Sequence, residues 1–147
     1  MNENKQYVVV TLEREHFGID IQQVETIIRM RDITRVPKSP FFIKGVINLR
    51  GDIIPVMSLR LKFRLEPDEY TPNTRIVIIK TEEHSIGLIV DEVMEVMEFS
   101  QESIEVVQGL EKNNSQKWIQ GVGKTEQQLI TLININALLE DLLSNKE

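Results

Sequence analysis

The stretch that decides the fold is Gly45-Val46-Ile47-Asn48-Leu49-Arg50-Gly51-Asp52-Ile53-Ile54-Pro55-Val56-Met57-Ser58-Leu59-Arg60. It reads as an antiparallel hairpin. Gly45 to Leu49 is a short apolar run, Gly51-Asp52 supplies turn chemistry, and Ile53 to Leu59 is a second run rich in β-branched residues. Glycine suits position 51 because it enters φ > 0 without a Cβ clash. Pro55 has no N–H to give a ladder, so its strand is expected at a sheet edge or to carry a bulge. Arg50 is a cation at the tip between two apolar strands, and on residue type alone a solvated turn arginine is its plainer role.

Upstream of the hairpin, Tyr7 to Leu12 is a compact β-rich run, followed by a polar turn through His16 and by Phe17 to Ile21. In Val24 to Met30, residues Val24, Thr26, Ile28 and Met30 share one strand face. Ile27 lies on the other face between Glu25 and Arg29, a pattern that admits burial on both sides. Asp32 to Phe42 reads as loop and Glu66 to Asn73 as a polar connector. Downstream, Thr74 to Lys80, Ile86 to Val90 and Val93 to Phe99 read as strands, and Gln108 to Lys117 as loop. Trp118 to Lys124 with Gln128 to Ile133 forms a second hairpin, and a leucine stripe over 135–143 a closing helix.

The chain repeats itself. A shift of 69 residues lays Tyr7-Val8-Val9-Val10 on Ile76-Val77-Ile78-Ile79, Gly18 on Gly87, Val24 on Val93 and Ile27 on Val96. A shift of 76 lays Gly45-Val46 on Gly121-Val122, Ile54 on Ile130 and Val56 on Leu132. The matches keep a constant order, so duplication explains them better than chance alignment of glycine with β-branched residues. Each half then holds about five short strands, which predicts a mostly β protein of two small barrels packed together with a short C-terminal helix. The first barrel is expected over about 15–73 and the second over about 74–143, with the 6–12 strand assignable to either.

Composition narrows the function classes. At 147 residues the chain is 41% hydrophobic and 27% charged, a globular balance. Seventeen basic against 23 acidic residues give −6, the wrong sign for a nucleic-acid binder. No long apolar run predicts a membrane span and no apolar h-region follows the N-terminus, so a cytoplasmic protein without direct membrane insertion is expected. The absence of cysteine excludes disulfides, thiolate zinc sites and cysteine nucleophiles.

The chemical inventory is thin. His16 and His84 occupy equivalent turns, and neither has metal-ligand spacing. Gly121-Val122-Gly123-Lys124-Thr125 resembles the end of a phosphate loop, but Trp118 stands where that loop needs its first glycine. A strand with a glycine bulge is the better reading. Asp91, Glu92, Glu95 and Glu98 form an acidic row with no nucleophile beside it, which reads as a solvated strand edge. No catalytic residue, metal site or cofactor is expected. What remains is an apolar surplus suited to binding in a groove or at an edge.

Phe17-Gly18-Ile19-Asp20-Ile21, Val24 with Ile27-Ile28-Arg29, Ile33-Thr34-Arg35-Val36-Pro37 and above all Pro40-Phe41-Phe42-Ile43-Lys44-Gly45-Val46-Ile47-Asn48-Leu49-Arg50-Gly51 carry a family resemblance. Together with Gly87-Leu88-Ile89-Val90-Asp91 and the closing Leu132-Ile133-Asn134-Ile135, they resemble the CheW family of bacterial chemotaxis coupling proteins, in order, over residues 6–143. The same domain occurs in CheA histidine kinases and CheV proteins, and at this length the stand-alone form is expected.

The resemblance implies two SH3-like barrels and a non-catalytic adaptor recruited to membrane-associated receptor arrays. Its implied partners are the cytoplasmic tip of methyl-accepting chemoreceptors and the regulatory domain of a CheA-type kinase. In that family a receptor helical hairpin lies along an apolar groove between the barrels. Val24, Gly45 and Arg50 match positions tied to receptor coupling, and Ile27, Ile28 and Val96 are added candidates. Gly87, Leu88 and Ile89 are expected near the kinase contact, and Leu110 is a candidate for a further ring contact. Arg50 could take a receptor carboxylate in its fork or brace the hairpin. Two departures stand out: Ser58 where the family usually has aspartate, so that any pairing of that aspartate with Arg60 is lost or replaced, and Thr26 where glutamate is common. The competing reading is another SH3-like module for peptides or RNA.

Overall fold

The computed structural model describes residues 4–106 and 117–144, and these are mostly strand. In chain order the elements are β1 (Lys5–Leu12), β2 (Glu15–Asp20), β3 (Val24–Arg29), β4 (Ile43–Leu49), β5 (Asp52–Ser58), α1 (Leu59–Lys62), β6 (Arg75–Lys80), β7 (Ser85–Val90), β8 (Glu92–Phe99), β9 (Ile104–Glu105), β10 (Ile119–Lys124), β11 (Leu129–Ile133) and α2 (Ile135–Ser144). They form a six-stranded sheet, β8-β1-β2-β11-β10-β9, and a five-stranded sheet, β3-β6-β7-β5-β4. Two small β units are thus the fold, as the strand count and turn spacing lead one to expect.

The division along the chain differs from the expected cut near residue 73. One compact unit holds 1–10, 14–21 and 94–147, and the other holds 11–13 and 22–93. Ladder formation is the reason. β6 pairs with β3 from Val24↔Ile79 to Arg29↔Arg75, and β7 runs parallel to β5 from Val56↔Gly87 to Ser58↔Ile89. The second half's opening hairpin therefore belongs to the five-stranded sheet. The first half's opening hairpin, β1–β2, belongs to the six-stranded one, where Gly18 pairs in parallel with Leu132.

The duplication is exact in register. β4 and β5 pair Ile43↔Met57, slip, then pair Gly45↔Val56 through Leu49↔Asp52. β10 and β11 pair Ile119↔Ile133, slip, then pair Gly121↔Leu132 through Lys124↔Leu129. Up to Asn48↔Ile53 and Lys124↔Leu129 each pair is the other shifted by 76, and β4–β5 adds one pair, Leu49↔Asp52. The two parallel junctions, Val56↔Gly87 and Leu132↔Gly18, correspond as well. Gly121 lies at this irregularity in β10, the strand reading preferred over a phosphate loop.

Each unit has its own core. In the five-stranded unit Ile47, Leu49, Ile54, Val56, Ile76, Ile78 and Ile89 cluster, with Ile28, Met30 and Ile33 packed on the side. In the six-stranded unit Tyr7, Val9, Phe99, Ile130 and Leu132 cluster, with Tyr7 and Phe99 edge to face at 6.0 Å. Burying an isoleucine or valine contributes about 1.5–3 kcal/mol, so these alternating faces set the strand registers.

Two sequence expectations are corrected. β5 is an interior strand between β7 and β4, so Pro55 does not mark a sheet edge. It is tolerated because the β7 ladder begins only at Val56, one residue beyond it. β3 buries one face alone: Val24, Thr26 and Ile28 turn inward, whereas Ile27 is 38% exposed, because β3 is a sheet edge with its second face uncovered within this unit.

Candidate functional site

The site is built at the tip of the β4–β5 hairpin. Leu49 pairs with Asp52, so the two-residue turn is Arg50-Gly51, one residue earlier than expected, and Asp52 already opens β5. Arg50 has φ 57 and Gly51 φ 91. Two successive positive φ values match the right-handed twist of the flanking strands, which is why such turns close tight hairpins. Gly51 takes this conformation freely. Arg50 does not, since its Cβ crowds the following carbonyl at a cost of about 1–2 kcal/mol. The Asn48 side-chain oxygen accepts the Gly51 N–H at 3.0 Å, and Arg31 Nη1 donates to the Asn48 carbonyl at 2.9 Å. Arg50 itself is exposed and makes no hydrogen bond or ion pair among the described residues. Bracing of the hairpin falls to Asn48 and Arg31.

Gly45 has a different use. Thr34 crosses it, with Thr34 N–H to the Val46 carbonyl at 2.9 Å and Val46 N–H to the Thr34 carbonyl at 2.8 Å. A Cβ on Gly45 would sit 2.1 Å from the Thr34 oxygen, and its φ of +148 is itself unfavourable for an L side chain. Gly45 therefore fixes the Ile33–Arg35 segment against β4. Between that segment and β3 lies a shallow open depression lined by Arg29, Met30, Arg31, Asp32, Thr34 and Asn48, among others.

Of the candidates for receptor contact, Val24, Ile27, Ile28, Gly45 and Arg50 fall in the five-stranded unit and Val96 in the other. Ile27 and Val96 are exposed, whereas Ile28 packs on the core. Gly87, Leu88 and Ile89 lie in β7, paired on both sides by β6 and β5, and Leu88 and Ile89 are fully buried. A Cβ on Gly87 would lie 2.7 Å from Ile76 Cγ2, so this glycine serves close strand packing. Leu110 lies outside the described residues.

The charges behind the hairpin are organised by Arg60. Its Nε donates to Asp91 Oδ1 at 2.9 Å and its Nη2 to Asp91 Oδ2 at 2.6 Å, while Nη1 reaches the carbonyls of Pro67 and Glu66. Asp91 also accepts the Glu13 N–H at 2.7 Å. Asp91 thus leaves the acidic row that was expected to be a solvated edge, because the Arg60 fork and a backbone donor both turn it inward. Ser58 is fully buried; its hydroxyl caps α1 by accepting the Leu61 N–H at 3.1 Å and donates to the Asp68 carboxylate. In this chain the acid that pairs with Arg60 is Asp91, while Ser58 caps α1. Burial pushes the Asp68 carboxyl above its ordinary value, against the opposing pull of the Ser58 hydrogen bond and the Arg60 charge.

Sequence reasoning missed Arg31, which braces the tip, and Ile53, which is 64% exposed beside it. Its repeat partner Leu129 is 62% exposed at the same register position, an exposure that the apolar residue type does not reveal.

The chain matches the family described as the CheW-like domain over residues 6–143. It is 32% identical over 143 residues to the chemotaxis protein CheW of Klebsiella aerogenes, covering 97% of this chain and 84% of that protein. It is 35% identical over 134 residues to the chemotaxis protein CheW of Bacillus subtilis, covering 90% of this chain and 85% of that protein. Among solved structures, the scaffolding protein TtCheW of Thermoanaerobacter tengcongensis superposes with a TM-score of 0.85 at 35% identity, covering 94% of each chain. Matched by the family model over residues 6–143 and by relatives more than 30% identical across most of both chains, the chain belongs to the CheW-like domain family.

Proposed function

We propose that this chain is a non-catalytic adaptor of a chemotaxis array, coupling the cytoplasmic tips of methyl-accepting chemoreceptors to the regulatory domain of a CheA-type histidine kinase. Family membership across residues 6–143 supports the adaptor class, and the names of the relatives support chemotaxis. The observation that carries the receptor half is Arg50. A cation kept in a costly left-handed turn, exposed and without a partner among the described residues, is displayed for something outside the chain. A guanidinium fork there suits a carboxylate on a receptor helix. Ile27 and Ile53 add apolar area on the same unit, and Val24, Ile28 and Gly45 shape the surface from beneath. Val96 is a separate candidate contact.

For the kinase half, Gly87, Leu88 and Ile89 would act by setting the β6–β7 hairpin that a kinase domain meets, rather than by offering their own side chains. Leu110 stays a candidate for a ring contact. Such an adaptor works in the cytoplasm at the receptor array and needs no cofactor.

The test is binding of the purified chain to a CheA-type regulatory domain and to a receptor-tip fragment, with Arg50→His alongside. Binding of both partners, with the substitution weakening the receptor contact and sparing the kinase contact, is expected. Binding of neither leaves only the fold in common with the family.

A further inference from the structure

The base of the β4–β5 hairpin is built differently from its tip, about 20 Å away along a seven-residue strand. Phe42 is 5% exposed and is anchored by its carbonyl, which accepts the Ser58 N–H at 2.8 Å. Phe41 stands on it edge to face, ring centroids 5.3 Å apart, and is 56% exposed. The Arg64 guanidinium lies 5.2 Å from the Phe41 ring centroid, and Lys62 Nζ lies 4.1 Å from that of Phe42. Two rings and two cations thus form one ordered stack with an uncovered aromatic face.

Arg64 is held there at a backbone cost. The Arg64 N–H donates to the Leu61 carbonyl at 3.0 Å and the Leu65 N–H to the Arg60 carbonyl at 2.7 Å, closing α1 with the paired terminal bonds that normally place glycine at the left-handed position. Here that position is Arg64, with φ 65. Among the described residues four non-glycines have positive φ, and three of them are the cations Lys38, Arg50 and Arg64. All three fall between residues 33 and 65, and of the cations there Lys62 and Arg64 are the two that stand on the rings of the base.

We propose that the Phe41–Arg64 base is a second docking surface, for an acidic protein segment that sets an aliphatic side chain on Phe41 and a carboxylate on the Arg64 fork. Charge complementarity selects the partner. At physiological salt the screening length is about 8 Å, so a short segment senses the local cations. An anionic bilayer or a long nucleic acid meets the whole acidic molecule and is repelled. The aromatic face supplies apolar area that a bare phosphate could not use, and the ring-stacked guanidinium keeps its N–H fork for a carboxylate. This surface does not depend on the coupling role and would exist even if Arg50 contacts no receptor.

The probe is a synthetic peptide of glutamates interspersed with leucines, titrated into the isotopically labelled full chain and followed by amide shifts. Shifts centred on 38–42 and 62–65, weakened at high salt, are expected. A lysine-for-glutamate peptide and a serine-for-leucine peptide should each bind at least about tenfold more weakly. Arg64→Gly, which relieves the left-handed strain and so preserves the fold, and Phe41→Ser should each lower affinity by about fivefold or more. Unchanged affinity in both variants, equal binding of the lysine peptide, or shifts centred elsewhere would overturn the proposal. Binding to anionic phosphatidylserine vesicles in place of the peptide would overturn it too.

Discussion

Arg60 grips Asp91 with two nitrogens, Nε at 2.9 Å and Nη2 at 2.6 Å, and with its third ties the connector after α1 through the carbonyls of Pro67 and Glu66. Both side chains are mostly shielded from water, at 14% and 21% exposure, so screening weakens the pair little. Arg60→Ala strands Asp91 and frees the connector, and should cost about 2–3 kcal/mol in urea unfolding. Arg60→Lys keeps the charge but loses the fork and should recover only part of that.

Asp68 makes the same region sensitive to pH. Burial raises its carboxyl pKa above the ordinary value of 3.8. The folded state then holds the proton more firmly than the unfolded state. The contribution of this group to stability is fully present below the unfolded value and falls as pH rises through the raised one. Asp68→Asn keeps an acceptor for Ser58 without the charge. The stability difference, variant minus parent, should therefore grow from acid toward neutral pH, as unfolding at a series of pH values would read. A difference that shrinks over that range contradicts the assignment.

Gly45 and Gly51 separate steric from conformational cost. An alanine at 45 would press its Cβ to 2.1 Å from the Thr34 oxygen, whereas at 51 it meets nothing within 4 Å. Gly45→Ala should cost about 3 kcal/mol or more and release the Thr34–Val46 pairing. Gly51→Ala should cost only about 1–2 kcal/mol, the backbone term alone. Amide exchange at Val46 distinguishes the two.

Arg50→Asn tests display against bracing at the tip. Asparagine followed by Gly51 is the preferred pair for this turn, so the variant should be as stable as the parent or more so, by up to about 1 kcal/mol. Receptor-tip affinity should nonetheless fall by roughly tenfold. Lower stability with unchanged affinity would make Arg50 a brace.

At Gly87 the neighbour is a side chain, Ile76 Cγ2 at 2.7 Å, which can shift. Gly87→Ala should cost about 1–3 kcal/mol of overpacking. If β7 sets the kinase-facing hairpin, kinase affinity should drop as well, while receptor affinity holds. An Ile76→Val background, which trims the isoleucine, should restore part of the stability.

Much of this was legible in the chain itself. The apolar runs Gly45–Leu49 and Ile53–Leu59 on either side of turn chemistry gave the hairpin, and shifts of 69 and 76 gave two equivalent units whose hairpin registers the structure repeats. Local chemistry was less legible where two choices fit. The turn could centre on Gly51-Asp52 or on Arg50-Gly51, and only the Leu49↔Asp52 pairing decided it. Pro55 argued for an edge or a bulge because sequence does not reveal where a neighbouring ladder begins. Phe41 and Arg64 carry no sign of each other in the sequence, and only the fold stacks them.

By itself the sequence determined the mostly β class, the duplication, the family and the candidate Arg50, since each rests on local periodicity or on a motif contiguous in the chain. Tertiary structure alone decided that each half's first hairpin joins the other half's strands, that Asp91 is the acid that answers Arg60, and that Gly45 exists to let Thr34 cross it. These are pairings between residues far apart in the chain. They are selected by the joint burial of two faces and by the cost of leaving a buried donor or charge unanswered, and neither quantity exists until the chain is folded.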